Sequence, residues 1–589
     1  MKSDQDLYKR LRDLSKEALW SNEVSRFNRA SQRERMENVA VIRAVGMIFS
    51  RFGTEEEKAQ VRQWLISLLQ DPQEKVRRYA LAALPKIGIG ESGEQEMLNL
   101  LGKSGEDREK RHVGRALEKV GGKATLNVIE ESGGAIVPGI TGLKVKAAVS
   151  RRENPGSLRM EALLSGDPDM RVLLRCRKGL EDFVREEARE ILSPAEWIIE
   201  RTQPGCVTLK PLGDFSLATL YRLRCFATVA FPLGMVAVGS GSNASWVEPL
   251  ARCIASNRAR EIMTAATAGE PRYRLEFAGR GHQRGAVRQV VDRAYALSPS
   301  ILNDSRQSLW SVDVIPETSS STPSGRGESM VELRPRLYPD PRLGYRQDDI
   351  AAASHPPLAA CMVRLAGVKP DEIVWDPFCG SGLELVERSL RGGVVMAYGT
   401  DLDAKAIAVA RENFDAARRD NPRMGGARAE MVECDFRDAA TKAGISAGSI
   451  SLMITNPPLG RRVRIKDMQG LFSDLYAAAS CALKVGGRLV FVNPLRTGPS
   501  DPSLKLEFQK TVDLGGFNCR LEMYRKVIPG KQVTLARGGK GDRKAATNPK
   551  EQQSAGSDKS SSPKMPAPAW WSRVGNKGRD WDRERRSRS

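Results

Sequence analysis

Histidine is nearly missing: the chain has three, His112, His282 and His355, far apart in sequence. A metal centre built on imidazoles has too few ligands to draw on, so no metal is expected. Cysteine occurs nine times but never as a Cys-x-x-Cys pair, which argues against a zinc ribbon and a disulfide framework. A reducing, intracellular compartment is the simple reading, cytoplasmic first, with nucleus and organelle left open. Long apolar runs are absent too. The longest charge-free stretch, Cys225 to Val247, is broken by Pro232 and a Gly-Ser-Gly-Ser run, well short of the about 20 apolar residues of a membrane span. The start, MKSDQDLYKRLRDL, has early acids and no apolar stretch of the secretory kind.

What is present is length and positive charge. The chain has 589 residues, with 93 Lys+Arg against 72 Asp+Glu, a formal charge of +21. That length suggests about three to four domains. With 40% hydrophobic and 28% charged residues, the composition is that of globular domains. An excess of cations favours a polyanionic partner, nucleic acid first.

From Met1 to about Gly122 apolar residues recur at three- and four-residue spacing, which predicts helices. Asp71-Pro72 is placed to open one of them, with Val76, Ala80 and Leu84 on one face. This pattern resembles HEAT-type repeats, stacked helix pairs that bury their faces only against neighbours, over residues 1–125. Such repeats imply a protein partner. Residues 126–165 are Gly-rich and read as a linker; the change of texture begins near 123. Beyond them come strand and helix patterns: Met170–Leu174, the amphipathic Gly179–Leu192 with Leu180, Phe183, Val184 and Ile191 on its apolar side, Cys206–Lys210, Ala227–Ala230 and Arg272–Phe277.

This part is similar to a known family. Arg177-Lys178-Gly179-Leu180-Glu181, Glu186-Glu187, Gly213-Asp214 and Leu223-Arg224 resemble the opening of THUMP-containing RNA methyltransferases. Tyr273-Arg274-Leu275-Glu276-Phe277, Gly281-His282 and Trp310-Ser-Val-Asp-Val314 resemble the THUMP domain itself. The resemblance covers 166–336, interrupted by a Ser-Thr-Pro stretch, and implies a ferredoxin-like plus THUMP module that holds structured RNA. Arg272, Arg274, Arg280, Arg284 and Arg288 cluster here and are candidate phosphate contacts. Residues 337–537 form the last expected domain. From 538 to 589 Gly, Ser, Pro, Lys and Arg dominate, which reads as a disordered basic tail; Trp570, Trp571 and the arginines of 583–588 could stack on bases or merely solubilise.

The sharpest signal is Glu372-Ile-Val-Trp-Asp376-Pro377-Phe378-Cys379-Gly380-Ser381-Gly382. An apolar strand ends in an acid, and a tight Gly-Ser-Gly turn opens a helix, which lets a ligand approach the backbone. A second strand, Val394–Gly399, ends at Asp401, about 20 residues on, where an acid can accept ribose hydroxyls. This turn has neither the Gly-x-Gly-x-x-Gly of dinucleotide sites nor the Gly-Lys-Ser/Thr of phosphate loops, which suits a ligand without phosphates such as S-adenosylmethionine. A third strand ends at Asp435, a candidate partner for the adenine amine. A fourth, Ser449–Thr455, runs into Asn456-Pro457-Pro458-Leu459-Gly460. The Asn456 side-chain oxygen and the Pro457 carbonyl can accept both hydrogens of an exocyclic amine, and the rigid Pro-Pro holds them.

The pair DPFCGSG and NPPLG resembles the class I amino-methyltransferases that act on nitrogen of nucleic acids or glutamine. With Tyr345-Arg346 and His355-Pro-Pro-Leu-Ala-Ala-Cys-Met it is similar to the THUMP-linked tRNA and rRNA guanine-N2 methyltransferases. The resemblance implies cofactor contacts at Asp376, Phe378, Gly380, Ser381, Gly382, Asp401, Asp435 and Asn456, with Asn456 and Pro457 on the guanine amine and Pro458 and Leu459 completing the catalytic motif. Leu459 departs from the pattern, since an aromatic residue usually stacks on the target base there. Cys379 as a nucleophile is disfavoured by its place in the cofactor loop, and His355 reads as a positioning residue. Arg461, Arg462, Arg464 and Lys466 follow closely and suit a phosphate clamp. The expected architecture is thus multidomain α and α/β: helical repeats, an α+β RNA module and a Rossmann-like methyltransferase. Its expected substrate is the 2-amine of guanosine in tRNA or rRNA. The alternatives are an adenine-N6 or protein-glutamine enzyme, or a non-catalytic RNA-binding scaffold.

Overall fold

The computed structural model describes residues 2–132, 140–238, 245–278, 284–316, 328–337, 339–350, 353–460 and 465–528. They gather into two compact units, one of residues 1–164 with 232–336, the other of 165–231 with 337–589. The division runs through the 166–336 module expected from sequence and falls inside the strand Thr228–Ala237. Among the described residues no helix is long and apolar enough to cross a membrane.

In the first unit helices follow one another from Lys2 to Glu153. Ala40–Phe52 packs on Glu74–Ile87, which packs on Asp107–Val120, which packs on Ile140–Glu153, so alternate helices stack. The intervening helices Glu55–Ser67 and Gly90–Lys103 lie against them in turn. Stacking needs close approach: a Cβ on Gly46 would lie 2.7 Å from the Ala83 Cβ. Val76, Ala80 and Leu84 are fully buried, as their spacing predicts. Asp71 acts one step before the helix start. It accepts from Gln73 N at 2.9 Å and pairs with Arg35 at 2.7 Å, while the helix begins at Glu74, so Pro72 precedes the first turn instead of occupying it. The linker expectation is corrected as well: Lys123–Glu131 and Ile140–Glu153 are helices whose Leu126, Ile129, Val145 and Val149 join the same core.

The same unit holds the parallel strands Arg272–Phe277 and Trp310–Pro316, with Glu328–Pro335 antiparallel to the latter. The helix Val247–Ile254 packs on Arg284–Leu297.

The second unit is built on a seven-stranded sheet. Its strands are β1 Glu372–Asp376, β2 Val394–Asp401, β3 Arg428–Glu433, β4 Ile450–Thr455, β5 Leu483–Asn493, β6 Leu504–Asp513 and β7 Asn518–Lys526. The order is β3-β2-β1-β4-β5-β7-β6, parallel through β5 and antiparallel for the last two. The connections run outward from β1 in both directions, so the order reverses between β1 and β4, where open α/β sheets leave a crevice at the carboxyl ends. The helices α1 Pro356–Ala366, α2 Leu383–Ser389, α3 Ala404–Asp420 and α4 Met468–Ala482 cover it.

Buried charge fixes this frame. Arg388 of α2 and Arg488 of β5 both donate to Glu372 at the start of β1, all three at most 3% exposed. Two cations share one anion here, and backbone carbonyls of Gly392 and Ala366 take further guanidinium hydrogens, which is what lets the charges stay so deep. Glu387 binds Arg224 bidentately at 2.7 and 2.8 Å and accepts from Tyr345 Oη at 2.8 Å, which ties the 165–231 segment to α2. Glu187 accepts the backbone amides of Arg224 and Cys225 at 2.9 and 2.7 Å. The Arg224–Glu387 pair joins residues 165–231 to the C-terminal sheet, and the Glu187 bonds hold the backbone that carries Arg224.

Candidate active site

The carboxyl ends of β1, β2 and β4 bring the motifs together. β1 ends in Asp376, fully buried, whose Oδ1 accepts from Phe378 N at 3.0 Å. That bond folds the chain back after the strand and starts the glycine turn. Gly380 and Gly382 take φ of +51° and +77°, conformations that only glycine adopts without strain. A Cβ on Gly382 would sit 3.2 Å from Ala410 Cα, so this glycine also lets α2 approach α3. The buried Ser381 gives its carbonyl to Asn413 Nδ2 at 3.0 Å. Asp401, at the end of β2, accepts from Gly380 N at 3.0 Å and Asp403 N at 3.0 Å. Each carboxylate oxygen keeps a further lone pair.

The acid Asp435 follows β3 by two residues and caps a short turn. It accepts from Arg437 N at 2.9 Å and pairs with the Arg437 guanidinium at 2.8 Å. Phe378 packs on Phe436, ring centroids 4.9 Å apart. Cys379 is buried, and burial with nearby Asp376 and Asp401 pushes its thiol well above the usual range. A thiol held protonated is no nucleophile. His355 precedes α1, and burial with the charges of Arg177, Arg342 and Arg346 pushes its pKa well down, so the imidazole stays neutral.

β4 delivers Asn456 to the same end of the sheet. Its Nδ2 donates to Ser354 Oγ at 2.9 Å, and its Oδ1 is buried without a hydrogen-bond partner among the described residues. Glu384 Oε1 is likewise buried and unpartnered, and the buried Thr455 hydroxyl lies beside the Asp376 carboxyl and favours its charged form. Pro457 is buried, while Pro458 and Leu459 are half-buried. Burial, reinforced by Glu384, pushes the Asp376 carboxyl well above its usual range. Burial pushes Glu384 up to about 7. Two adjacent acids with spare acceptors suit a cationic ligand, whose charge would let them ionise. S-adenosylmethionine fits, because it carries an ammonium and a sulfonium and no phosphate. Asp376, the glycine turn and Asp401 are the residues that could hold it. Leu402, 72% exposed beside Asp401, offers an apolar face that the sequence reading missed. Ser354, Glu384 and Asn413 were missed too, because an isolated Ser, Glu or Asn outside a motif carries no sequence signal.

The arginines fare differently. Arg272 corrects the phosphate expectation: it is 2% exposed and donates to Ser150 Oγ at 2.8 Å and the Asn154 carbonyl at 3.1 Å. Arg274 pairs with Glu276 at 2.6 Å, and Arg288 is 58% exposed. Arg280, Arg461, Arg462 and Arg464, like the side chain of Arg284 and the tail residues Trp570, Trp571 and 583–588, lie outside the described residues. Lys466 is exposed. A charge-lined cavity of about 440 Å³, lined by Arg222, Arg224, Arg364, Arg391 and Glu190 among others, contains none of the residues of the glycine turn or of Asn456-Pro-Pro. No three His, Cys, Asp or Glu gather as a metal site among the described residues.

Sheet order, glycine turn and paired acids define a class I methyltransferase domain. Residues 343–499 match the family model described as "UPF0020: RMKL-like, methyltransferase domain". The chain is 30% identical over 141 residues to the tRNA (guanine(10)-N2)-dimethyltransferase of Methanothermobacter thermautotrophicus, covering 24% of this chain and 38% of that one. It is 29% identical over 177 residues to the tRNA (guanine(6)-N2)-methyltransferase of Thermus thermophilus, covering 29% and 50%. It is 28% identical over 190 residues to the tRNA (guanine(10)-N(2))-methyltransferase TRMT11 of Xenopus laevis, covering 25% and 39%. The chain thus spans half or less of the curated relatives it matches. Among solved structures it is similar to TrmN from Thermus thermophilus, at 20% identity and TM-score 0.44, covering 61% of this chain and 100% of that one.

Proposed function

We propose that the chain is an S-adenosylmethionine-dependent methyltransferase acting on the exocyclic 2-amine of guanosine in tRNA. The observation that carries this is the buried, unpartnered Asn456 Oδ1 at the end of β4, held by a bond on the other side of the same amide. Amide-like acceptors suit this chemistry. An aromatic amine has its lone pair drawn into the ring. Asn456 Oδ1 and the Pro457 carbonyl accept its two hydrogens, which orients the lone pair. S-adenosylmethionine, when bound, supplies an electrophilic methyl on sulfur. The amine lone pair forms the new N–C bond as the C–S bond breaks, and one amine proton then leaves to water. Asp376 and Asp401 hold the donor. Leu459 covers the base by packing instead of stacking.

The curated relatives are named for guanine-N2 methylation of tRNA, which favours tRNA over rRNA and guanine over adenine-N6 or glutamine. Residues 1–125 are read as HEAT-like repeats offering a protein surface. The ferredoxin-like and THUMP-like segments of 166–336 are read as the RNA-holding part, with Arg288 and Lys466 as exposed cations. A scaffold without catalysis is the competing reading. Nucleoside mass spectrometry of RNA from cells lacking the protein decides. Loss of N2-methylguanosine from tRNA is the expected result, and a change confined to methyladenosine, or none, would overturn the reading.

A further inference from the structure

An amide has two nearly isosteric ends, and the proposed chemistry uses only one. If the Asn456 amide turned over, Nδ2 would face the target amine, donor against donor, and the acceptor pair would be lost. Something must therefore fix its orientation. Pro457 cannot, because its side chain bears no polar atom. The strand backbone holds Cα but leaves the amide free to turn.

The fixing group on the page is Ser354, just before α1. Its Oγ lies 2.9 Å from Asn456 Nδ2. A hydroxyl alone is ambivalent, since it can donate to an amide oxygen as readily as accept from an amide nitrogen. Here a third group removes the ambiguity. The buried Glu384 carboxyl, near the start of α2, is the acid next to Ser354, and the serine hydroxyl favours its charged form. Glu384 is 2% exposed, and its second oxygen, Oε1, is buried with no partner. An acceptor so placed takes the hydroxyl hydrogen of Ser354. The serine oxygen is left able only to accept, so the nitrogen end of Asn456 must face it.

We infer that Ser354, polarised by Glu384, is a positioning residue that sets the orientation of the Asn456 amide and aims its Oδ1 at the amine to be methylated. This rests on the reading of Asn456 as the amine acceptor. Glu384 in turn faces Asp376, Glu387 and Arg346. The cationic methyl donor, once held beside Asp376, favours the ionised Glu384, which is the better acceptor for the serine hydrogen. Donor binding and base positioning are then linked through one hydroxyl. The inference adds two residues outside both motifs to the site.

The test is steady-state methylation of tRNA by the full chain, with donor affinity measured separately by calorimetry. Ser354→Ala should lower kcat by about ten- to a hundredfold, the order expected for a misplaced reacting group, while KM for tRNA and the donor Kd move less than about threefold. Ser354→Thr keeps the hydroxyl and should recover most of the lost rate. Glu384→Gln, which can donate as well as accept, should fall between them. A Ser354→Ala enzyme with wild-type kcat would overturn the inference. So would a loss seen only in donor affinity, which would make Ser354 a donor-holding residue. Should the wild-type enzyme methylate adenine instead of guanine, the target reading fails but this test stands, because that amine needs the same acceptor.

Discussion

The chain leaves β1 and β4 by two opposite devices. After β1 it turns through Gly380 and Gly382 at positive φ, exposing backbone to a ligand and tying Gly380 N to Asp401. After β4 it passes through Pro457 and Pro458, which have no N–H at all. The first turn is permissive in conformation and backed by acids; the second is rigid and presents only acceptors. On the proposed function the difference suits two ligands with opposite needs. A cationic donor wants close approach and negative charge, whereas an amine wants fixed oxygens with no competing hydrogen.

Breaking the acceptor turn should have the largest effect. Asn456→Ala is expected to lower kcat by about a hundredfold to a thousandfold or more, as loss of one aligned polar group at a reacting centre does, with donor affinity intact by calorimetry. Breaking the glycine turn should act through strain. Gly382→Ala forces a side chain into a left-handed conformation at about 1–2 kcal/mol, against Ala410. Thermal melting and donor titration should show lower Tm and weaker binding, with less effect on kcat at saturation. A subtler contrast is pH. Glu384 has its pKa raised from 4.5 to about 7, so its contribution to stability is present below the ordinary value and is lost as pH rises toward 7. The donor-free protein should melt lower at pH 8 than at pH 5.5, and Glu384→Gln should flatten that difference. The smallest effect is expected from Arg274→Ala, whose charge is already matched by Glu276: RNA affinity in filter binding should change by less than about twofold.

Both turns were legible in the sequence because each needs particular residue types at fixed spacing. Strand β1, its terminal acid, the glycines and Asn456-Pro-Pro lie where the sequence puts them. The arginines were not legible in the same way. Charge has no register, and Arg272 looks the same in a sequence whether it meets a phosphate or the Asn154 carbonyl. Helix α2 hides the opposite error. Glu384, Glu387 and Arg388 carry no sequence signal of burial, yet all are buried, Glu387 against Arg224 and Arg388 against Glu372, partners distant in sequence. The helices at 123–153 were hidden by Gly133, Gly134, Gly139 and Gly142, whose low helix propensity made the stretch read as a connector. Where long-range pairing decides, local pattern fails.

The most direct test transfers a labelled methyl group from S-adenosylmethionine to tRNA with the purified full chain and digests the product to nucleosides. The account predicts label in N2-methylguanosine with the wild-type protein and none above background with Asn456→Ala that still binds the donor. Label in any other nucleoside, or N2-methylguanosine formed as fast by Asn456→Ala, would contradict it.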